Sequence, residues 1–139
     1  MTTYEFIRRG EVPIITEIIS SRRLVVTRAT GVLVLDELAD RMKKLLAHPE
    51  FDPSYDHLFD MSGVTGTEDI RTSELESFAL VRIFSFYSRR AIVAPEDLVY
   101  GFARMYEVFS HSTEENFAVF RNEEEARAWL EAKPHQSLS

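Results

Sequence analysis

The sequence contains no cysteine, which excludes disulfides, thiol nucleophiles and thiolate metal sites together. No apolar run approaches the ~20 residues of a membrane-spanning helix. The opening MTTYEFIRRGEV also lacks the apolar stretch of a secretion signal. The expected location is therefore the cytoplasm, with no integral membrane segment. Positive charge is scarce too: 16 Lys and Arg against 23 Asp and Glu leave a net charge of -7, a field that repels nucleic acid and anionic lipid. The basic pairs Arg8-Arg9, Arg22-Arg23, Lys43-Lys44 and Arg89-Arg90 are isolated and read as solvated, so no nucleic-acid partner is expected.

Metal and cofactor signatures are equally thin. His48, His57, His111 and His135 fall in different segments without a ligand spacing. Gly63-Val64-Thr65-Gly66 has two glycines but no phosphate-loop lysine. Neither a metal nor a cofactor is expected, and the acidic pairs Glu68-Asp69 and Glu96-Asp97 and the run Glu123 to Glu125 read as solvated helix starts.

What is present is an ordinary globular balance, 45% apolar and 28% charged over 139 residues, enough to bury a core in one domain. The expected core spans about 12–131, followed by a frayed tail at 132–139. VPIITEIISSRRLVVTRAT, residues 12–30, holds two β-branched stretches parted by serines and a basic pair, the pattern of a hairpin. Tyr4 to Ile7 adds a short edge strand. From Val34 to His48, Leu35, Leu38, Met42, Leu45 and Leu46 recur at helical spacing, with Asp40, Arg41 and Lys43 between them. No side chain at Leu33 or Val34 can cap that helix, and Pro49 ends it.

His57 to Met61 reads as a short strand, followed by the polar segment SGVTGTEDIRT, Ser62 to Thr72, of a loop that reaches Ser73. Ser73 with Glu76 has capping-box spacing, so a helix is expected from about Glu74 to Tyr87. In it Leu75, Ala79, Ile83 and Phe86 make one apolar stripe and Leu80, Phe84 and Tyr87 a second. Ala91 to Val93 is a buried-type strand, and Pro95 opens a helix whose core face is Leu98, Phe102, Met105, Tyr106 and Phe109. A strand at Phe117 to Phe120 and a helix at Glu123 to Glu131, with Ala126, Trp129 and Leu130 inside, complete the pattern. Strands first, then alternating helices and strands, give an α/β fold: a mixed sheet of about five strands and about four helices, the later strands parallel through right-handed crossovers.

Three segments, PEFDPSYDHLFDMSGVTG, AIVAPEDLVYGFARMYEVFS and FAVFRNEEEARAWL, occur in an order that resembles the SpoIIAA-like, or STAS/SEC14-like, family of small uncharacterised bacterial α/β proteins. The resemblance runs from about Arg23 to Leu130. It implies a helix-covered sheet related to anti-sigma-factor antagonists and to lipid-cradling domains, but no activity follows from fold alone. In the antagonists a strand ending Asp-x-Ser leads to an Asp-Ser-Ser/Thr-Gly turn with a phosphorylated serine. Asp60-Met61-Ser62 matches the first element. The second is poorly matched by Asp69-Ile70-Arg71-Thr72-Ser73-Glu74, so only Ser73 and Thr72 carry over as candidate phospho-acceptors.

Without a catalytic constellation, the expected function is a non-enzymatic binding or regulatory module resembling a STAS domain. It would act through a protein partner, a homodimer contact or a small apolar ligand. The second stripe of the 74–87 helix supplies the candidates Leu80, Phe84 and Tyr87, facing Phe102 and Tyr106 of the next helix, with Arg82 placed to meet an anionic head or to reach solvent. A lipid or acyl-chain carrier is one alternative. A hydrolase using the 62–73 loop with His57 as base, its tautomer held by Asp56 or Asp60, is the other.

Overall fold

Alternation decides the layers. In Leu24–Val32 the side chains of Val25, Thr27 and Ala29 point to one face and those of Leu24, Val26 and Arg28 to the other, and both faces are covered. The computed structural model describes residues 2–6, 14–112 and 116–132. Ile7, Val12 and Pro13 of the expected strands, the Arg8-Arg9 pair, His135 and the tail beyond Ala132 lie outside them.

The described strands are β1 (Thr2–Phe6), β2 (Ile14–Ile19), β3 (Leu24–Val32), β4 (Asp56–Gly66), β5 (Arg90–Val93) and β6 (Phe117–Phe120). They form one six-stranded sheet in sequential order. The expected five become six once the N-terminal edge strand is counted. β1–β2 and β2–β3 are antiparallel, and β3 through β6 are parallel.

The helices are α1 (Leu35–Ala47), α2 (Thr72–Ala79), α3 (Asp97–Phe109) and α4 (Glu123–Glu131). The crossovers between successive parallel neighbours deliver α1, α2 and α3 to the same face. There Leu38, Leu75, Ala79, Val99 and Ala103 pack on Ile14, Ala29, Phe59, Met61, Ile92 and Phe117. On the other face Ala126 and Leu130 of α4 close over Leu24, Val26, Leu58, Ala91 and Val93. Among the described residues no helix is long and apolar enough to cross a membrane.

Four local expectations need correction. The helix expected at 74–87 ends at Ala79. Leu80 and Val81 close it with tight turns onto Ser77 O and Phe78 O, and the chain then runs irregularly to β5. Val81, Ile83, Phe84, Phe86 and Tyr87 are weak helix formers, and the Pro53 carbonyl takes both Ser85 N at 2.7 Å and Ser88 Oγ at 2.8 Å. The helix also starts two residues early: Glu74 Oε1 accepts from Arg71 N at 3.0 Å, so the reciprocal cap is not Ser73 with Glu76.

The inner face of α3 is Val99, Ala103 and Tyr106. Leu98 is 86% exposed and Met105 is not buried. The small Ala103 lets the helix approach the sheet, and a reading weighted to bulky residues rotates that face.

β4, finally, continues five residues beyond Met61, so half of the expected loop is strand. The pairing slips from Arg28–Asp60 to Thr30–Gly63, which leaves an extra residue in β4. Asp60 Oδ1 accepts from both Ser62 N and Ser62 Oγ across that bulge. A Cβ on Gly63 would sit 2.6 Å from Thr30 Cγ2 and 3.2 Å from Ala29 O, so Gly63→Ala is expected to cost about 1–3 kcal/mol in urea denaturation.

Candidate functional site

The same alternation concentrates polar groups where a hydrophobic face is expected. On the α1–α3 side, β2 presents Thr16 opposite Thr27 of β3. His57 of β4 stands between Val25 and Arg90 of β5, and Arg90 is next to Phe117. From above, α1 contributes Leu38, Arg41, Met42 and Leu45, α2 contributes Phe78, α3 contributes Tyr106, and the irregular segment contributes Phe84. Together they line a cavity of about 30 Å³, room for roughly two water-sized groups. A second void of about 10 Å³ adjoins it, sharing Leu38, Phe59, Phe78 and Tyr106 and adding Phe102.

His57 is only partly accessible. Its ring stacks on Phe84 at 4.7 Å and on Phe59 at 5.9 Å, and Nε2 lies 3.0 Å from Thr27 Oγ1. Burial, reinforced by the positive Arg90, pushes its pKa down to about 3, so the imidazole is neutral at physiological pH. Arg90 Nη2 donates to Tyr106 Oη at 2.7 Å, and the guanidinium lies 5.0–5.8 Å from the rings of Phe117, Tyr106 and Phe84. Its buried Nε has no hydrogen-bond partner. Arg41 is 4% exposed and Arg90 8%.

These arginines were missed by sequence reading. Arg89-Arg90 looks like a solvated pair, yet both are buried. Arg89 donates to Trp129 O at 2.8 Å and lies over the Trp129 ring at 3.7 Å on the α4 side, while Arg90 turns to the cavity. A signal was present: the pair abuts Ala91-Ile92-Val93, and strand alternation sends neighbouring side chains to opposite layers. Arg41 likewise shares an i, i+3, i+7 stripe with Leu38 and Leu45.

The sequence candidates divide. Phe84 and Tyr106 line the cavity and Phe102 its neighbour. Arg82 lies outside, half-buried, over the Phe86 ring at 4.5 Å and 3.4 Å from Ser110 O. Leu80 and Tyr87 are exposed, Tyr87 at 88%, so the second stripe does not exist as one surface. Thr72 and Ser73 are exposed in the first turn of α2.

The hydrolase geometry is contradicted. Asp56 and Asp60 alternate with His57 and face α4. Asp56 Oδ1 accepts from Arg89 N at 2.9 Å, and Asp60 pairs with Arg28 at 2.6 Å. Ser62 is five residues along β4 from His57, roughly 16 Å in an extended strand. On that outer face Arg28 also grips Glu123 at 2.8 Å, and Arg127 reaches Glu123 at 2.7 Å. Arg28 foremost holds the Glu123 carboxyl down to about 2, so this acidic residue docks α4 and is not simply a solvated helix start. The Asn122 side chain caps α4 by accepting from Glu125 N at 2.8 Å.

The depression at the carboxyl ends of β4 and β5, lined by Ser62, Val64 to Glu68 and Pro95 to Val99, is larger, about 810 Å³. It carries Glu68, Glu96 and Asp97 and no basic side chain.

The architecture has a solved counterpart. An uncharacterised protein of the DUF3478 family from Shewanella loihica PV-4, described as having a SpoIIAA-like fold, superposes with a TM-score of 0.51 over 93% of this chain and 92% of its own. This chain has a SpoIIAA-like fold. Identity over that SpoIIAA-like match is 16%, a level at which the likeness concerns the fold. No protein-family model matches the sequence, and no curated protein does either. Within the SpoIIAA-like frame, the polar groups under α1 and Phe84 are particular to these residues and have to be explained from them.

Proposed function

We propose that this SpoIIAA-like protein is a non-enzymatic binding module that takes a small apolar ligand between the sheet and α1, beneath Phe84. One observation carries the reading. The paired voids run under α1 and α2 with walls of Leu38, Leu45, Phe59, Phe78, Phe84 and Tyr106, and one wall belongs to a segment without regular structure. Within residues 80–87 Phe84 is the ring that enters the cavity, while Leu80, Val81, Phe86 and Tyr87 lie outside; the Pro53 carbonyl and buried Ser88 and Arg89 anchor the stretch that follows. Without a helical ladder, the stretch 80–87 opens locally more readily than the helices beside it. A chain-like ligand would then occupy the space vacated by Phe84.

Titration with the uncharged dye Nile red tests this. Saturable one-to-one binding is expected, several-fold tighter in Phe84→Leu, where the plug is smaller. Absence of saturable binding in both proteins would overturn the reading.

A further inference from the structure

We infer that the ligand is an apolar carboxylate, with its head received by Arg90 inside the cavity. This rests on the apolar-ligand reading and adds the charge of the head. Arg90 is more than nine-tenths buried, yet among the described residues no carboxylate pairs with it, and its Nε points at no acceptor. Its single hydrogen bond goes to a neutral phenol. Three aromatic rings at 5.0–5.8 Å offset only part of the cost of removing a guanidinium from water. A buried cation left in this state is a site prepared for an anion.

The remaining walls agree. Arg41, also buried, lines the same cavity from α1, and none of its lining residues is Asp or Glu. His57 stays neutral there, so it adds no charge that competes with Arg90. Thr16 and Thr27 bring hydroxyls that can donate. The guanidinium fork is shaped for the two oxygens of a planar carboxylate. Beyond the head the walls are Leu38, Met42, Leu45, Phe59, Phe78 and Phe84. That lining suits an alkyl or aryl tail and gives a free inorganic ion nothing to hold.

Calorimetric titration of the full chain with dodecanoate and 1-dodecanol at monomeric concentrations separates the two ideas, because these probes differ only in the head. Dodecanoate is expected to bind at least ten-fold tighter. Arg90→Met should erase that preference while leaving dodecanol affinity within two-fold, and Arg90→Lys, which keeps charge without the fork, should retain part of it. Equal binding of both probes to the wild type would overturn the carboxylate inference and leave the apolar-ligand reading standing. A preference that survives Arg90→Met would overturn the role of Arg90. If neither probe binds, the apolar-ligand reading falls and the inference falls with it. Should Arg90→Met fail to fold, the wild-type comparison and Arg90→Lys decide.

Discussion

Replacing Phe84 with alanine is expected to lower the free energy of unfolding by about 3–5 kcal/mol in urea denaturation at neutral pH, while Leu80→Ala and Tyr87→Ala each change it by less than about 0.5 kcal/mol. Phe84 is 3% exposed, stacks on His57 at 4.7 Å and meets Phe51 edge-on at 5.3 Å. Ile18, Val25 and Leu45 close the same cluster. Its removal therefore loses apolar burial and opens a hole that the rigid sheet beneath cannot fill. Leu80 and Tyr87 keep most of their surface in water. Had the segment been a helix with Leu80, Phe84 and Tyr87 on one stripe, the three substitutions would cost comparable amounts, and that result would refute the irregular path of residues 80–89.

Acidification supplies the second large effect. His57 titrates near 3 in the folded chain and near 6.5 when unfolded, so between those values the unfolded chain binds the additional proton. Stability is full above about pH 6.5 and falls by up to ~1.4 kcal/mol per pH unit below it. The loss should reach about 2–3 kcal/mol by pH 4.5 and level off below about 3. Glu123, held at about 2, adds its own loss only as pH falls below about 4.5, so the window from 6.5 to 4.5 isolates the histidine. The charged groups lining the cavity are Arg90 from the sheet and Arg41 from α1; burial foremost, and then the positive Arg90, oppose the imidazolium. His57→Gln should flatten the slope in that window when denaturation midpoints are compared across pH. An unchanged slope would show that His57 is not the group responsible.

Sequence reading succeeded where the local signal and the tertiary outcome agree. α4 and β6 have the boundaries that periodicity predicts. α1 begins without a side-chain cap, its first turn carrying Asp36 and Glu37 in compensation for the helix dipole. It failed at residues 80–87, because spacing of 3 and 4 is shared by a helix and by any irregular chain with enough apolar residues. The Pro53 carbonyl that holds Ser85 and Ser88 is more than thirty residues away in sequence. The α3 face failed for a related reason, since small residues mark close approach and large ones only opportunity.

The cavity shows the same division. Composition, charge and alternation determined by themselves that this chain forms an α/β sheet with helices on it, without cysteine chemistry and with a net negative charge. Only the tertiary structure decided that Thr16, Thr27, Arg41, His57 and Arg90, drawn from α1 and four different strands, line one cavity. Whether a charged side chain reaches solvent depends on what packs above it. For Arg90 that cover is Phe84 and Tyr106, and their positions are set by strand register and helix approach, which no stretch of local sequence encodes.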